Sequence, residues 1–153
     1  MRKWAVRIAL GVVALFALSQ AVPYGRSHTN PPVTAEPKWD SPATRQLASD
    51  ACFDCHSNLT RWPWYTNVAP VSWLIQNDVN GGRSTLNFSE WDKAQDSGAG
   101  DIVEAVRSGS MPPWFYKPMH PASSLSSAER QRLVDGLTKT LQNSPIRGGG
   151  GGG

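Results

Sequence analysis

The sequence predicts an all-α fold, a small bundle of short helices, and three observations carry that expectation. Apolar residues recur at spacings of three and four in several segments. Those segments open on capping residues and close on glycine or proline. Nowhere is there a sustained alternation of polar and apolar residues, so no sheet is expected.

The N-terminal segment, residues 1–22, stands apart from the bundle. Arg2, Lys3 and Arg7 precede the apolar run from Ile8 to Leu18, the layout of an export signal. Ser19 and Ala21 are small enough for cleavage after Ala21. The 19 residues from Trp4 to Val22 would also serve as an uncleaved membrane anchor. On either reading the rest of the chain is delivered outside the cytoplasm, to a bacterial inner membrane facing the periplasm or to the periplasm itself. Residues 23–40 carry four prolines and little periodicity and read as an extended tether.

The folded domain is expected over residues 41–145. Ser41 caps a first helix with Pro42 at its first position, running past Leu47. A second helix begins near Pro70, carries Val71, Leu74, Ile75 and Val79, and stops at Gly81-Gly82. Ser89 is placed to cap a short segment bearing Trp91. Asp101 to Ser108 offers a narrow apolar face of Ile102, Val103 and Val106. The final helix has the clearest signature, a Ser126/Glu129 capping box followed by Leu133, Leu137 and Leu141, with Pro145 ending the run. Residues 146–153, closing in six glycines, are expected to be disordered.

The formal charge of +3 belongs entirely to Arg2, Lys3 and Arg7; from Pro23 onward, 12 basic residues balance 12 acidic ones. The basic character of the whole chain therefore does not point to nucleic acid.

Only two cysteines are present, in the run Cys52-Phe53-Asp54-Cys55-His56. C-x-x-C-H is the attachment signature of a c-type haem: each thiol forms a thioether with a vinyl group, and the adjacent imidazole ligates the iron. A thioredoxin-like dithiol would need a βαβ context that is absent here, and a structural zinc site would need four ligands. One covalently attached haem c per chain is expected, and the fold becomes a cytochrome c-like bundle around it. His56 is the proximal ligand, its other ring nitrogen donating to a carbonyl or carboxylate.

The far side of the iron has two principal candidates. Met111 lies in Gly109-Ser110-Met111-Pro112-Pro113, where the prolines stiffen the backbone around a soft thioether donor. His120 is the alternative; besides His56 it is the one histidine within 41–145. Met119 is read as packing. Trp62 and Trp64, close behind the haem motif, are expected to wall the porphyrin, with Arg61 and Arg83 as partners for its propionates.

Taken together, several motifs resemble the small haem-binding domain family of bacterial exported proteins, broadly related to c-type cytochromes. They are Asn30-Pro31-Pro32, the run Cys52 to Asn58, Trp62-Pro63-Trp64-Tyr65, Ala69-Pro70-Val71-Ser72-Trp73, Asp78 to Arg83, Leu86 to Ser89 with Trp91, and Met111-Pro112-Pro113. Tyr116, His120 and Leu125-Ser126 with Glu129 complete the likeness, which covers about residues 24–142. It implies export and haem binding, and it does not choose between Met111 and His120. The chain departs from the family pattern in its second glycine at Gly81-Gly82, where one is usual.

The expected function is single-electron transfer by a membrane-tethered or periplasmic c-type cytochrome that meets its redox partners transiently. A haem-based gas or peroxide sensor, a weak peroxidase, and a haem-stabilised interaction module are the alternatives.

Overall fold

A computed structural model describes residues 1–148. It is all-α, as expected. Its helices are α1 (Arg2–Ser19), α2 (Pro42–Ala51), α3 (Phe53–His56), α4 (Val71–Thr85), α5 (Ala99–Ser108) and α6 (Ser127–Asn143). Short 3₁₀ turns lie at Trp64–Asn67, Lys117–Met119 and Pro121–Ser123. Among the described residues, extended pairing amounts to two isolated bridges, Ala35 with Glu90 and Ala94 with Arg147.

The chain groups into two compact units. One compact unit is Met1–Thr29 with Trp62–Asp78; the other joins Asn30–Arg61 to the chain from Val79 onward. Residues 62–78 group with the N-terminal segment because that segment bonds to them. Gln20 pairs with the backbone of Ala69, Ser72 Oγ donates to the Tyr24 carbonyl, and His28 stacks on Trp62 at 4.8 Å. Gly25, at φ +78°, rests so close to the Ser72 carbonyl that a Cβ there would collide.

α1 is apolar but short. It ends at Ser19, and beyond Arg2, Lys3 and Arg7 only Ile8–Ser19 remains free of charge. That stretch rises about 18 Å, against roughly 30 Å of bilayer hydrocarbon. α1 thus ends three residues before Val22, and no helix among the described residues is long and apolar enough to cross a membrane.

The second unit holds the main core. α2 begins as read: Ser41 Oγ accepts from the Thr44 N–H, with Pro42 in the first turn. α6 begins with the full Ser126/Glu129 capping box. Leu133 and Leu137 on α6 are completely buried, about 2 kcal/mol of transfer free energy each. They share the core with Val134 and Leu141 of α6, Ala48 and Ala51 of α2, and Ile102, Val103 and Val106 of α5. Beneath these lies an aromatic cluster. Phe88 stacks on Trp91 at 5.7 Å and on Phe53 at 5.8 Å, and meets Trp39 in a tilted contact at 5.3 Å.

Four boundaries differ from expectation. α4 does not stop at Gly81-Gly82 but continues to Thr85. Ser89 caps no helix: its hydroxyl accepts from the Asn58 N–H, and residues around Trp91 form turns. Residues 30–40 are not a free tether, since Trp39 joins the core and Glu36 pairs with Arg45 at 2.6 Å. At the C-terminus, Ile146 packs on the core and the Arg147 carbonyl accepts from Gln95, so the tail is held through its first residues. The rest of the predicted disordered segment, from residue 149, lies outside the described residues.

Candidate functional site

The C-x-x-C-H motif is built as a single helical turn. Cys52 closes α2 and opens α3, with φ −126° and ψ −35° at the corner. Its carbonyl accepts from the N–H groups of both Cys55, at 3.2 Å, and His56, at 2.9 Å. Positions three apart on such a turn share a face, so both thiols lie on one side. Both are reduced and half-buried. Burial, with a smaller contribution from Cys55, pushes the Cys52 thiol up to about 12.

The two residues between the cysteines hold the turn in place. Phe53 is buried in the aromatic cluster. Asp54, also buried, accepts from Arg61 Nε at 3.0 Å, Arg61 Nη2 at 3.1 Å and the Arg61 backbone N–H at 3.0 Å. The Tyr116 hydroxyl donates to Oδ2 of the same carboxylate, the oxygen that also accepts from Arg61 Nη2. Burial raises the Tyr116 hydroxyl above its ordinary range, and this bond to Asp54 adds to the effect, so the phenol stays a donor.

His56 is fixed by α4 and the loop after it. Its Nδ1 lies 3.0 Å from the Gly82 carbonyl and 3.1 Å from the Leu86 carbonyl. Both partners are acceptors only, so Nδ1 carries the proton and Nε2 is left as the nitrogen that could hold a metal. Burial pulls the imidazole below its usual range, against these two bonds, and favours the neutral ring a metal needs. The His56 carbonyl accepts from Phe88 N–H at 2.8 Å, tying ring and backbone to the same segment.

Gly82 permits this arrangement. A Cβ at that position would strike the Cys55 carbonyl, whereas Gly81 beside it faces open space. The close approach of α4 to the motif is what brings a carbonyl to His56 Nδ1.

Many motif residues outside the cysteines are structural. Asn58 donates to the Pro32 carbonyl at 2.9 Å and to Glu90, and accepts from Asn87 at 2.8 Å. Asn87 Oδ1 accepts from the Ser89 N–H, and Gln95 Oε1 from the Asn87 N–H at 2.7 Å. Arg83, read as a propionate partner, donates from Nε to the Ser57 carbonyl at 2.8 Å. Its Nη2 reaches Asn30 Oδ1 and Thr60 Oγ1, both at 2.9 Å. Arg61, the other arginine so read, is committed to Asp54.

The remaining predicted site residues are distributed as follows. Met111 is exposed, two residues past Gly109, which closes α5 in the left-handed region; its N–H donates to the Ala105 carbonyl. His120 is half-buried, its ring stacked on Tyr116 at 3.7 Å and its Nδ1 3.0 Å from the Tyr116 carbonyl. Through Tyr116, His120 is therefore one residue removed from Asp54 of the cysteine motif. Met119 is exposed rather than packed. Trp62 and Trp64 belong to the first unit, where Trp62 stacks on His28 and Trp64 is exposed, set edge-on to Tyr65.

Sequence reading missed Gly82, Asp54 and Tyr116 as supports of the motif. The acid inside the motif followed seven residues later by Arg61 was the available signal for the ion pair. No group of three or more His, Cys, Asp or Glu suited to a metal ion occurs among the described residues. A haem asks for a different donor set, and that set fits: two reduced thiols on one face and a neutral imidazole with Nδ1 committed. Residues 14–139 match the sequence profile of the haem-binding domain family. No curated protein and no solved structure matches the chain.

Proposed function

Since the chain belongs to the haem-binding domain family, we propose that it is an exported c-type cytochrome that carries single electrons. Cys52 and Cys55 hold the haem through thioethers, and His56 Nε2 is the proximal ligand. When bound, the haem supplies a one-electron Fe(II)/Fe(III) couple. The chain's own part is to orient and shield. The Gly82 and Leu86 carbonyls fix the imidazole plane and make the ring a stronger donor. Phe53 and Asp54 anchor the turn that carries both sulfurs.

Met111 is the proposed distal ligand, with His120 as the alternative. A filled distal position excludes substrates from the iron and favours electron transfer over catalysis or gas sensing. The observation that carries the reading is His56, its Nδ1 bonded to two carbonyls on the same turn as two thiols. The N-terminal segment directs export and keeps the protein at a membrane, where it meets redox partners transiently.

Spectroscopy of the full chain, produced in a host that matures c-type cytochromes, tests this. A low-spin spectrum in both oxidation states, a one-electron Nernstian titration and no response to carbon monoxide are expected. A weak far-red band in the oxidised protein, lost in Met111→Ala, identifies the thioether; loss of the low-spin spectrum in His120→Ala identifies the imidazole instead. A high-spin spectrum that shifts with carbon monoxide or peroxide would contradict the carrier reading.

A further inference from the structure

The end of the apolar leader is built into the folded protein. Gln20 closes α1, and its side-chain amide makes a two-point pair with the backbone of Ala69. Nε2 donates to the Ala69 carbonyl at 2.8 Å and Oε1 accepts from the Ala69 N–H at 3.1 Å. Ala69 is fully buried, and a buried peptide group stripped of its partners costs about 1–3 kcal/mol. Arg26 then straps the corner from the other side. Its Nη1 donates to the Gln20 carbonyl and its Nη2 to Gln20 Oε1, both at 2.9 Å. Two further contacts, Ser72 to the Tyr24 carbonyl and the close seat of Gly25 on Ser72, keep residues 24–25 on the same unit.

Cleavage after Ala21, the position the small residues suggest, would remove Gln20 and undo this corner. Ala69 would lose both partners, and Arg26 would lose both of its acceptors on Gln20. A disposable signal peptide has no reason to satisfy a buried backbone pair 49 residues away. We propose that signal peptidase does not remove the leader, and that Gln20 is a retained clamp joining α1 to the folded unit.

Retention has a consequence for partners. Every residue of α1 before Ser19 is exposed, including Trp4, Ile8, Leu10, Leu15 and Leu18, and basic Arg2, Lys3 and Arg7 crowd one end. A permanent apolar rod with a cationic end fits a lipid surface with anionic headgroups. This proposal rests on the export reading, and its test separates the two.

The first measurement is the intact mass of haem-bearing full chain recovered from an exporting host. A mature chain that still contains Gln20 is expected; one that starts at Val22, or anywhere past Gln20, overturns retention. A chain that acquires no haem and stays in the cytoplasm defeats the export reading instead. The clamp is then read independently by hydrogen exchange in the full chain. Gln20→Ala should accelerate exchange of the Ala69 amide about tenfold or more, the loss of one buried hydrogen bond. Gln20→Glu keeps the acceptor and loses the donor, so it should protect that amide better than Gln20→Ala. Equal protection of Ala69 in all three chains would overturn the clamp.

Discussion

Gly81 and Gly82 are adjacent in α4, yet alanine at each should act in opposite directions. Gly81 is exposed and a Cβ there meets nothing, so Gly81→Ala gains only the helix preference of alanine, up to about 1 kcal/mol. Gly82→Ala gains the same preference but drives a methyl group into the Cys55 carbonyl and Cβ. Backbone cannot yield as a flexible side chain does, so the overpacking cost belongs at the upper end of about 1–3 kcal/mol. The net effect is a loss of about 1–2 kcal/mol. At roughly 5 °C per kcal/mol for a domain of this size, thermal unfolding followed by circular dichroism should put Gly81→Ala about 5 °C above the parent. Gly82→Ala should fall about 5–10 °C below it. The Gly82 carbonyl also bonds His56 Nδ1 at 3.0 Å, so only Gly82→Ala should alter the haem spectrum. A Gly82→Ala protein as stable as Gly81→Ala, with an unchanged spectrum, would refute the packing of α4 on the cysteine turn.

Other outcomes follow from the same contacts. Tyr116→Phe removes the hydroxyl that donates to buried Asp54 while keeping the ring on His120; urea denaturation should show a loss of about 1–3 kcal/mol. Phe88→Ala empties the centre of the aromatic cluster, where Phe53, Trp39 and Trp91 all meet it. It should cost about 3–5 kcal/mol by the same method. Glu36 titrates below the usual carboxylate range, chiefly because Arg45 donates to it. A depressed folded value means the pair stabilises the protein above the unfolded value and is lost as pH falls through the folded one. Glu36→Gln should therefore cost about 0.5–1 kcal/mol at neutral pH, and that cost should shrink as pH falls below the ordinary glutamate value and through the lowered folded one; a cost that does not change with pH would contradict the assignment.

Helix starts were the most legible part of the sequence, because the caps are local chemistry. Ser41 with Pro42, and Ser126 with Glu129, begin α2 and α6 as read. Ends and loops were less legible because distant groups decide them. Two glycines usually end a helix, but here α4 continues because Gly82 is needed for a close crossing, a purpose visible only once Cys55 is beside it. Ser89 resembled a cap, but the Asn58 N–H claims its hydroxyl. The proline-rich stretch looked like a tether since local periodicity says nothing of Trp39 reaching Phe53 and Phe88. At the site, the spacing of Cys52, Cys55 and His56 is enough to put them on one turn. The partners of His56 were not, being main-chain carbonyls of Gly82 and Leu86 that any residue type could supply.

The proposed electron carrier requires that the thiols of Cys52 and Cys55 carry the haem. Intact mass spectrometry of the denatured, coloured protein after extraction with acidified acetone tests this directly. The expected result is a polypeptide heavier by one haem, with the pigment still attached, and a loss of that attachment when both cysteines are changed to alanine. A polypeptide of unmodified mass, with the haem in the organic phase, would contradict it.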